Sequence, residues 1–434
     1  MQTPDLKAKK VAVVGLGMTG RSCVAFLHKQ EALITGFDTR THLALELPVD
    51  IKLGDITRTA FLDFDLVLVS PGFNLLHNAI TAAKEAGVEV IGDVELFARF
   101  NNKPVLAVTG SNGKSTVVTL LAHILNTNGV NAVLGGNIGV PILSILDADC
   151  EAVVLELSSF QLESTYSLNT LAACVLNLSQ DHLDRHLTLE AYRDAKLRIY
   201  DNAQKCIANA QQQDTWPKVG TADAFISLNA TQSGFGIAQE PLAITEDGEV
   251  YMLASDINLV GAHNLANVQA AVLLARELGL NDDAIRAAIR SFDGLPHRCQ
   301  TVLNRDNVRW INDSKATNIG ATIAAIKGIK PSTVGKLVLV AGGDSKGADL
   351  NELADVFDSS VDHLIAMGKD AAKLAEQKPN ANIVDSMNEA VLLAASLTQN
   401  GDTVLLSPAC ASLDMFSSFE DRGDQFTQAA RALS

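Results

Sequence analysis

Nine short apolar runs alternate with amphipathic stretches along almost the whole chain, and this alternation restricts the possible folds strongly. The runs are continuously hydrophobic, which is typical of strands buried on both faces of a parallel sheet. They are VAVVG, ALITGFD, LVLVS, VLAVTG, AVVLELSS, CVLNLS, KLVLVAGG, HLIAMG and TVLLSP. The stretches between them include the helical patterns KSTVVTLLAHILNTNG, LANVQAAVLLARELG and NEAVLLAASLTQNG, each closed by a glycine suited to a helix C-cap. The pattern predicts an α/β protein.

The length of the chain, 434 residues, exceeds what one hydrophobic core usually organises. One seam is expected near residues 91–93, after a first βαβ set. Another is expected near 294–296, where a helical pattern ends in Gly and Pro. The stretch 207–260 has weaker helix signals and short polar alternations, which suggest some antiparallel β-structure. Three domains are therefore predicted, with the boundaries 1–92, 93–294 and 295–434.

Charge and cysteine usage exclude several functional classes. The net charge is −16 and no cluster of Lys and Arg is present, which argues against a nucleic-acid surface. No apolar stretch approaches the roughly 20 residues that span a bilayer, and the first residues lack the apolar segment of a signal peptide, so a cytoplasmic protein without membrane insertion is expected. The six cysteines show no CxxC pairing, so buried free thiols are expected in place of a zinc site.

The first glycine loop, GLGMTG, follows the strand pattern VAVV and contains Gly15, Gly17 and Gly20. It matches G-x-G-x-x-G, and Asp38 ends the next predicted strand at roughly the distance of a ribose partner in a Rossmann unit. Taken alone, this pattern predicts a dinucleotide site. The alternative is a tight strand-to-helix turn without a ligand.

The second glycine loop, GSNGKST, follows the strand pattern VLAVT and opens a helix. Backbone amides of such a loop can surround phosphate oxygens, Lys114 can reach the β- and γ-phosphates, and Ser115 or Thr116 can bind Mg²⁺. The strict P-loop pattern has Gly six residues before the lysine, whereas this chain has Val108. The loop is therefore a shorter variant, and ATP binding is still the prediction.

Polar side chains at two other strand ends of the same predicted domain indicate phosphoryl-transfer chemistry. Glu156 ends one apolar strand, from where a carboxylate can reach a metal ion held by Ser115. His182, with Asp181 and Asp184 beside it, follows another. A single buried Glu or His is more often a satisfied core residue. Two of them at strand ends beside a P-loop favour function, because ligands of α/β proteins gather at the carboxyl ends of the strands.

Ten segments in order along the chain together resemble the Mur ligases. They are GSNGKST, GGNIG, LELSSFQLE, NLSQDHLDRH, YRDAKLRIY, GAHNLANVQAA, LPHR, INDSKATN, GGDSKGAD and LSPACASLDMF. The resemblance implies a Rossmann-like N-terminal domain, a central P-loop ATPase-like parallel-sheet domain and a C-terminal Rossmann-like domain. It also implies an ATP-dependent ligase of peptidoglycan precursor synthesis, a monomer with UDP-N-acetylmuramoyl-L-alanine, D-glutamate and ATP as substrates.

The resemblance assigns roles to individual positions of this sequence. Four residues are implied as catalytic: Lys114, Glu156, His182 and Lys196. Two Mg²⁺ sites are implied, with the ligands Ser115, Glu156, His182 and Lys196, the last as a CO₂-derived carbamate. The implied ATP contacts are Gly110, Ser111, Asn112, Gly113, Lys114, Ser115, Thr116, Asn264, Arg298 and Asp313. The implied UDP-substrate contacts are Met18, Thr19, Asp38, Thr39, Arg40, Ser70, Gly72 and Asn137. The implied D-glutamate contacts are Thr317, Lys346, Ser412, Leu413 and Phe419.

Other functions remain open from the sequence. A sister ligase that adds another amino acid would keep the ATP motifs and change the third domain, and a ligase similar to folylpolyglutamate synthase is related to it. A nicotinamide-dependent oxidoreductase would rest on GLGMTG alone, and hydride transfer has no use for a phosphate-binding lysine. A nucleotide-sensing module without catalysis is the last alternative. Without the resemblance, Lys196 would be taken as an exposed helix lysine, and Cys410 as a small buried thiol.

Overall fold

The computed structural model describes residues 4–43, 47–179, 181, 183–259 and 261–433, without the side chains of residues 183 and 184. The chain divides into two compact units. Unit 1 comprises Met1–Gly236, Thr245–Glu249 and Asn267–Ile289, and unit 2 comprises Ile237–Ile244, Val250–Ala266 and Arg290–Ser434. None of the helices in the described part of the chain has the length and hydropathy that a membrane span requires.

The first sheet of unit 1 is parallel and has the strand order β3-β2-β1-β4-β5. Its strands are β1 Lys10–Val14, β2 Leu33–Asp38, β3 Asp50–Leu53, β4 Leu66–Val69 and β5 Glu89–Ile91. The order reverses between β1 and β4, and ligands of open α/β sheets bind at such a point. The helices of this part are α1 Met18–Lys29, α2 Asn78–Glu85 and α3 Asp93–Phe100.

The central sheet, also in unit 1, has the order β11-β10-β9-β6-β8-β7 with parallel neighbours. Its strands are β6 Val105–Thr109, β7 Ala132–Gly136, β8 Ala152–Glu156, β9 Ala172–Val175, β10 Cys206–Asn209 and β11 Ala224–Ile226. Strand β6 lies between β8 and β9, so the three loops that follow these strands share one edge. The helices are α4 Lys114–Thr127, α5 Ser159–Leu162, α6 Leu183–His186 and α7 Leu189–Leu197.

A three-stranded sheet follows, in the region where antiparallel structure is expected from the sequence. Its strands are β12 Phe235–Gln239, β13 Leu242–Glu246 and β14 Glu249–Leu253, paired in that order. Two-residue connections can join only antiparallel neighbours. This expectation is therefore confirmed. Helices α8 Ala262–Arg276 and α9 Asp282–Arg290 come next along the chain.

The third sheet belongs to unit 2 and has the order β15-β16-β20-β17-β18-β19. Only β15 pairs antiparallel among these strands. The strands are β15 Gln300–Arg305, β16 Val308–Asn312, β17 Leu337–Gly342, β18 His363–Met367, β19 Asn382–Val384 and β20 Thr403–Leu406. The helices are α10 Ile319–Ile329, α11 Ala354–Ser360, α12 Ala371–Ala375, α13 Met387–Leu397 and α14 Phe419–Arg431.

Strand residues of both units alternate between two apolar cores. In the first sheet, Val11 and Val13 enter one core whereas Ala12 and Val14 enter another. The third sheet shows the same alternation between its own two cores. The side-chain period of two along a strand explains this division, and burial on both faces explains why the runs are continuously apolar.

The predicted α/β class with parallel sheets is confirmed, and each of the nine apolar runs forms a strand. One core spans the predicted seam near residue 92, because Leu27 of α1 and Phe97 of α3 pack in the same cluster as Val153 of the central sheet. The boundaries at 92 and 294 stay predictions. The expectation of buried thiols holds for five cysteines, whereas Cys206 is partly exposed.

Candidate active site

The phosphate loop lies between β6 and α4, as the sequence predicts. Gly110 has φ +152°, and Gly113 has the left-handed φ of +86° at the N-terminus of α4. A Cβ atom on Gly113 would lie 2.5 Å from Oδ1 of Asn267, so only glycine fits this close approach. The loop therefore needs glycine both for its backbone conformation and for space.

Lys114 and Lys196 converge on one carbonyl of the phosphate loop. Nζ of Lys114 donates to the carbonyl oxygens of Gly110 and Ser111, at 2.8 and 2.9 Å. Nζ of Lys196 donates to the same Gly110 oxygen at 2.8 Å. This arrangement places two basic groups at the point where a phosphate group is expected.

Lys196 is a buried lysine with 2% of its surface exposed. Burial holds its pKa well below the usual range, and the nearby charge of Lys114 lowers this pKa further, whereas Asp181 and Glu156 act in the opposite direction. Its Nζ also lies 4.7 Å from the centre of the Tyr192 ring. A depressed pKa increases the share of neutral amine, and a neutral amine can react with CO₂. Lys196 is therefore not the exposed helix lysine that its sequence pattern alone would suggest.

Glu156 ends β8 and is 1% exposed. Its Oε1 accepts a hydrogen bond from Nδ2 of Asn137 at 2.8 Å. Its Oε2 is buried and has no hydrogen-bond donor among the described residues. A buried carboxylate oxygen without a donor is costly unless a cation compensates it, and carboxylates are preferred Mg²⁺ ligands. The residues at this position therefore fit a magnesium ion.

The predicted metal set is only partly described. His182 lies outside the described residues, and Ser115 is buried in the first turn of α4. Within the described ranges, no three His, Cys, Asp or Glu side chains come together as a metal-binding group. The implied magnesium ligands include a serine and a modified lysine in addition to Glu156. They are therefore not expected to form a cluster of three such side chains. Asn137, an implied UDP-substrate contact, donates from Nδ2 to Oε1 of Glu156, and its role toward the substrate stays a prediction.

Residues that the sequence reasoning missed hold the phosphate loop in place. Asn177 follows β9. Its Oδ1 accepts a hydrogen bond from the Asn112 amide at 2.8 Å, and its Nδ2 donates to the Asn112 carbonyl oxygen at 3.0 Å. The carbonyl oxygen of Asn177 also accepts a hydrogen bond from the Ser111 amide at 2.9 Å. Tyr192 adds a hydrogen bond of 3.1 Å between its hydroxyl and Oγ of Ser111. The signal that could have found Asn177 is its place at the end of a strand adjacent to β6.

The first glycine loop is held by Asp38 and Ser70. Oδ2 of Asp38 accepts a hydrogen bond from the Leu16 amide at 2.8 Å, and the Ser70 hydroxyl donates to the Gly15 carbonyl oxygen at 2.7 Å. Arg40 binds both carboxylate oxygens of Asp38, through Nε at 2.8 Å and Nη2 at 2.7 Å. These bonds hold the pKa of Asp38 well below its usual range. Asp38 is thus already engaged within the chain.

The other predicted UDP-substrate residues surround this loop or the strand ends beside it. Met18 begins α1 and is 66% exposed, and Thr19 follows it. Thr39 is exposed, immediately after β2. Gly72 follows β4, with open space where a Cβ atom would lie. The sheet therefore brings these residues to the switch point between β1 and β4.

The predicted amino-acid residues lie on loops after adjacent strands of the third sheet. Thr317 follows β16, Lys346 follows β17 and Ser412 follows β20. Backbone hydrogen bonds pair Asp344 with Ala411, at 3.1 and 2.9 Å, and so join the last two loops. Ser412 is buried, and Lys346 is exposed with φ +52°.

Phe419 and Leu413 complete the predicted amino-acid set. Leu413 is exposed by 74%, and Phe419 begins α14 with Nζ of Lys315 lying 3.8 Å from its ring centre. An arginine missed from the sequence lies beneath these loops: Arg422 is 1% exposed. It donates to the Ser314, Gly342 and Cys410 carbonyls, at 2.9, 3.3 and 3.1 Å. Arg422 therefore joins the loops that follow β16, β17 and β20.

Three predicted nucleotide contacts belong to unit 2. Asp313 follows β16 and accepts hydrogen bonds from the Cys299 amide at 3.1 Å and the Ser407 hydroxyl at 2.8 Å. Burial raises the pKa of Asp313 to about 6, against the effect of these bonds and of the Arg298 charge. Asn264 is buried in the first turn of α8.

Family models match three stretches of the chain. The Mur ligase MurD-like N-terminal domain matches residues 9–92, the Mur ligase middle domain matches 108–275, and the Mur ligase glutamate ligase domain matches 297–410. A UDP-N-acetylmuramoylalanine–D-glutamate ligase from Haemophilus influenzae is 45% identical to the chain, over 98% of this chain and 99% of its own length.

Solved structures give the same fold at low identity. UDP-N-acetylmuramate-alanine ligase MurC from Thermotoga maritima has a TM-score of 0.60 and 17% identity, over 98% of this chain and 99% of that chain. MurF ligase from Thermotoga maritima in complex with ADP has a TM-score of 0.58 and 17% identity, over 98% and 95% of the two chains. These likenesses are evidence of a shared three-domain α/β fold.

Proposed function

The chain belongs to the Mur ligase family, and on this basis we propose that it joins D-glutamate to UDP-N-acetylmuramoyl-L-alanine with ATP as the energy source. The observation that carries the chemical part of the proposal is the convergence of Lys114 and Lys196 on the Gly110 carbonyl, together with Oε2 of Glu156, which is buried and finds no hydrogen-bond donor in the part of the chain that the structure describes. The D-glutamate specificity is supported by the 45% identical relative of that name. Action in the cytoplasm, as a monomer, belongs to the same proposal.

An amide cannot form directly from a carboxylate and an amine in water, because the carboxylate oxygen is a poor leaving group. ATP supplies a phosphoryl group that converts this oxygen into a phosphate leaving group, and ADP is released. The nitrogen of D-glutamate, after losing its proton, then attacks the acyl carbon and phosphate departs. The protein has to bind, orient and shield these groups, and most of its contribution is electrostatic.

The phosphate loop residues Gly110–Thr116 are the proposed ATP cradle. Lys114 neutralises the charge that moves as the phosphoryl group is transferred, and the backbone amides at the start of α4 face the phosphates. Ser115 and Glu156 hold one Mg²⁺, which supplies further neutralisation of phosphate charge. Asn264, Arg298 and Asp313 are proposed as further nucleotide contacts.

Lys196 is proposed to carry a carbamate. Its neutral amine attacks CO₂ and releases one proton, so that the side chain ends in an anionic carboxylate. Such a carboxylate suits the cations expected beside Glu156. His182 is proposed as a metal ligand from its sequence position alone, because it lies outside the described residues.

The UDP part of the substrate is assigned to the first glycine loop with Met18, Thr19, Thr39, Arg40, Ser70 and Gly72, together with Asp38 and Asn137. Asp38 acts there chiefly by holding Arg40 and Leu16. D-Glutamate has a carboxylate at each end and needs two separated groups of donors. Lys346 offers a cation, and Thr317 and Ser412 offer hydroxyls, with Leu413 and Phe419 beside them.

The test is phosphate release from ATP in the presence of UDP-N-acetylmuramoyl-L-alanine and one amino acid at a time. D-Glutamate should support release, and L-glutamate should fail because it cannot place both carboxylates and the amine together. Lys346→Ala should weaken D-glutamate use by roughly 1.5 to 3 kcal/mol, the size of a lost charge-assisted hydrogen bond, and leave ATP use almost unchanged. Equal rates with L-glutamate or L-lysine would assign the chain to a sister ligase.

A further inference from the structure

A buried Ser–His–Glu chain lies in unit 1, formed by residues to which the proposed function gives no role. Nε2 of His186 lies 2.9 Å from Oγ of Ser159, and Nδ1 lies 3.2 Å from Oε1 of Glu163. Arg185 binds the other oxygen of Glu163 at 3.1 Å. The order of the three groups is that of a hydrolase triad.

A nucleophilic role for this chain does not agree with its burial. Ser159 is 2% exposed and His186 is 6% exposed, so no acyl carbon can reach the serine oxygen. A nucleophile has to stand open to its substrate. The Ser–His–Glu chain therefore holds the imidazole ring in one orientation, with Nδ1 facing the Glu163 carboxylate and Nε2 facing the Ser159 hydroxyl.

The orientation of His186 matters because of the aromatic ring it contacts. His186 stacks on Phe160, with centroids 5.4 Å apart and an interplanar angle of 15°, and meets the ring of Tyr192 edge-on at 5.3 Å. Tyr192 in turn contacts the phosphate loop through Oγ of Ser111 at 3.1 Å, and its ring lies beneath Nζ of Lys196. A continuous set of contacts thus runs from Glu163 to the phosphate loop.

We infer that His186 is a positioning residue of the nucleotide site, and that it acts through Tyr192 on Ser111 and Lys196. The inference rests on the nucleotide-binding part of the proposed function and does not depend on which amino acid is added. Buried polar networks of this kind hold one arrangement of side chains when each member has its partner. Loss of the imidazole hydrogen bonds frees the ring that supports Tyr192, and so loosens the phosphate loop.

The experiment is calorimetric binding of Mg²⁺–ADP to full-length variants. His186→Phe keeps an aromatic ring and removes both hydrogen bonds, and it should weaken binding about fivefold. His123→Phe is the matched control, because His123 is a partly buried histidine on α4 whose Nε2 lies 3.1 Å from the Ala288 carbonyl oxygen. The control should bind Mg²⁺–ADP within about twofold of the unchanged protein.

A double-mutant cycle separates positioning from general loss of stability. Tyr192→Phe removes only the hydroxyl that contacts Ser111. If His186 acts through Tyr192, the affinity loss of the double variant is smaller than the product of the two single losses, because both changes break the same set of contacts. Independent effects that multiply would overturn the inference.

If His186→Phe does not fold, the variant Glu163→Gln provides a second test of the inference by the same binding measurement. This change retains the shape of the side chain and removes the carboxylate that orients the imidazole, so it should weaken binding in the same direction and by less. Unchanged affinity in a folded His186→Phe, or in Glu163→Gln alone, contradicts the inference. Absence of Mg²⁺–ADP binding by the unchanged protein overturns the phosphate-loop assignment and the inference together, whereas activity with another amino acid contradicts only the proposed function.

Discussion

The two glycine loops of unit 1 each lie between a strand and a helix, but the charged side chains beside them are paired differently. In the first loop, the nearby carboxylate of Asp38 is fully engaged, by the amide of Leu16 and by both nitrogens that Arg40 presents. In the second loop, Oε2 of Glu156 has no donor among the described residues, and two lysines meet at one carbonyl. The carboxylate beside the first loop is thus already paired within the chain, whereas the carboxylate beside the second loop keeps an oxygen without a donor among the described residues.

The structural roles of glycine in the two loops differ in the same way. Gly20 allows α1 to approach the first loop, since a Cβ atom there would lie 1.9 Å from the Gly15 carbonyl oxygen. Gly113 provides a left-handed residue where α4 begins. The comparison teaches that a glycine pattern specifies backbone geometry, and that the charges around it decide the chemistry.

The largest effect is expected at the second loop. Lys114→Ala should lower kcat by about a thousandfold or more, because a phosphate clamp acts mainly in the transition state. The measurement is steady-state phosphate release with saturating ATP. Lys29→Ala removes an exposed lysine that pairs with Asp147, and it serves as the control with unchanged kcat. Near-normal turnover of Lys114→Ala would remove the contrast between the loops.

The next effect concerns Lys196, the second lysine at the Gly110 carbonyl. Lys196→Ala should reduce the rate at least about a hundredfold, and a small added carboxylate such as formate should restore part of it, because the missing group is an anion. Labelled bicarbonate should give a carbamate carbon signal in the unchanged protein and none in the variant. A rate equal to that of the unchanged protein would mean that burial of Lys196 serves only structure.

A moderate effect is expected from the residue that holds the second loop from outside. Asn177→Ala removes two side-chain hydrogen bonds to Asn112 and should lower kcat/KM for ATP about tenfold, with little change in KM for the UDP substrate. Asn126→Ala is the matched control, since Asn126 bonds the backbone at the far end of α4. An equal loss in both variants would show that Asn177 contributes stability alone.

The smallest effect is expected at the first loop. Arg40→Ala should raise KM for the UDP substrate about five- to tenfold and leave KM for ATP nearly unchanged, as expected for a contact made equally in the ground and transition states. Asp38 then loses its ion-pair partner and keeps the Leu16 amide, so thermal unfolding has to be measured beside the kinetics. Tight NADH binding by calorimetry would contradict the assignment of this loop to a UDP substrate.

Much of the fold could be predicted because a short continuous run of apolar residues is enough to indicate a buried strand. The continuous run VLAVT becomes β6, and the glycines that follow it become the phosphate loop. Lys196 could not be placed in the same way. Its segment YRDAKLRIY has the composition of a solvated helix, and Lys196 is nevertheless buried, with Nζ against the phosphate loop. Burial of a lysine is a property of distant neighbours.

The partners of the predicted site residues were equally beyond sequence patterns. Asp38 and Glu156 both end strands next to glycine loops, yet Asp38 is paired with Arg40, whereas Glu156 keeps an oxygen without a partner among the residues described. Likewise, Arg422 lies in a polar helix and is nevertheless buried beneath the loops after β16, β17 and β20. Whether a charged group is compensated depends on residues that approach from other strands.

The sequence by itself determined the strands, the two glycine loops and the order of the family motifs, because hydrophobic periodicity and glycine conformation are local properties. The tertiary structure decided which side chains share a site, since parallel strands bring residues far apart in sequence to the same edge of a sheet. It thereby placed Lys196 beside Lys114, and Asn177 against Asn112. The free energy of a buried charge or hydrogen bond depends on those neighbours, and no local pattern contains them.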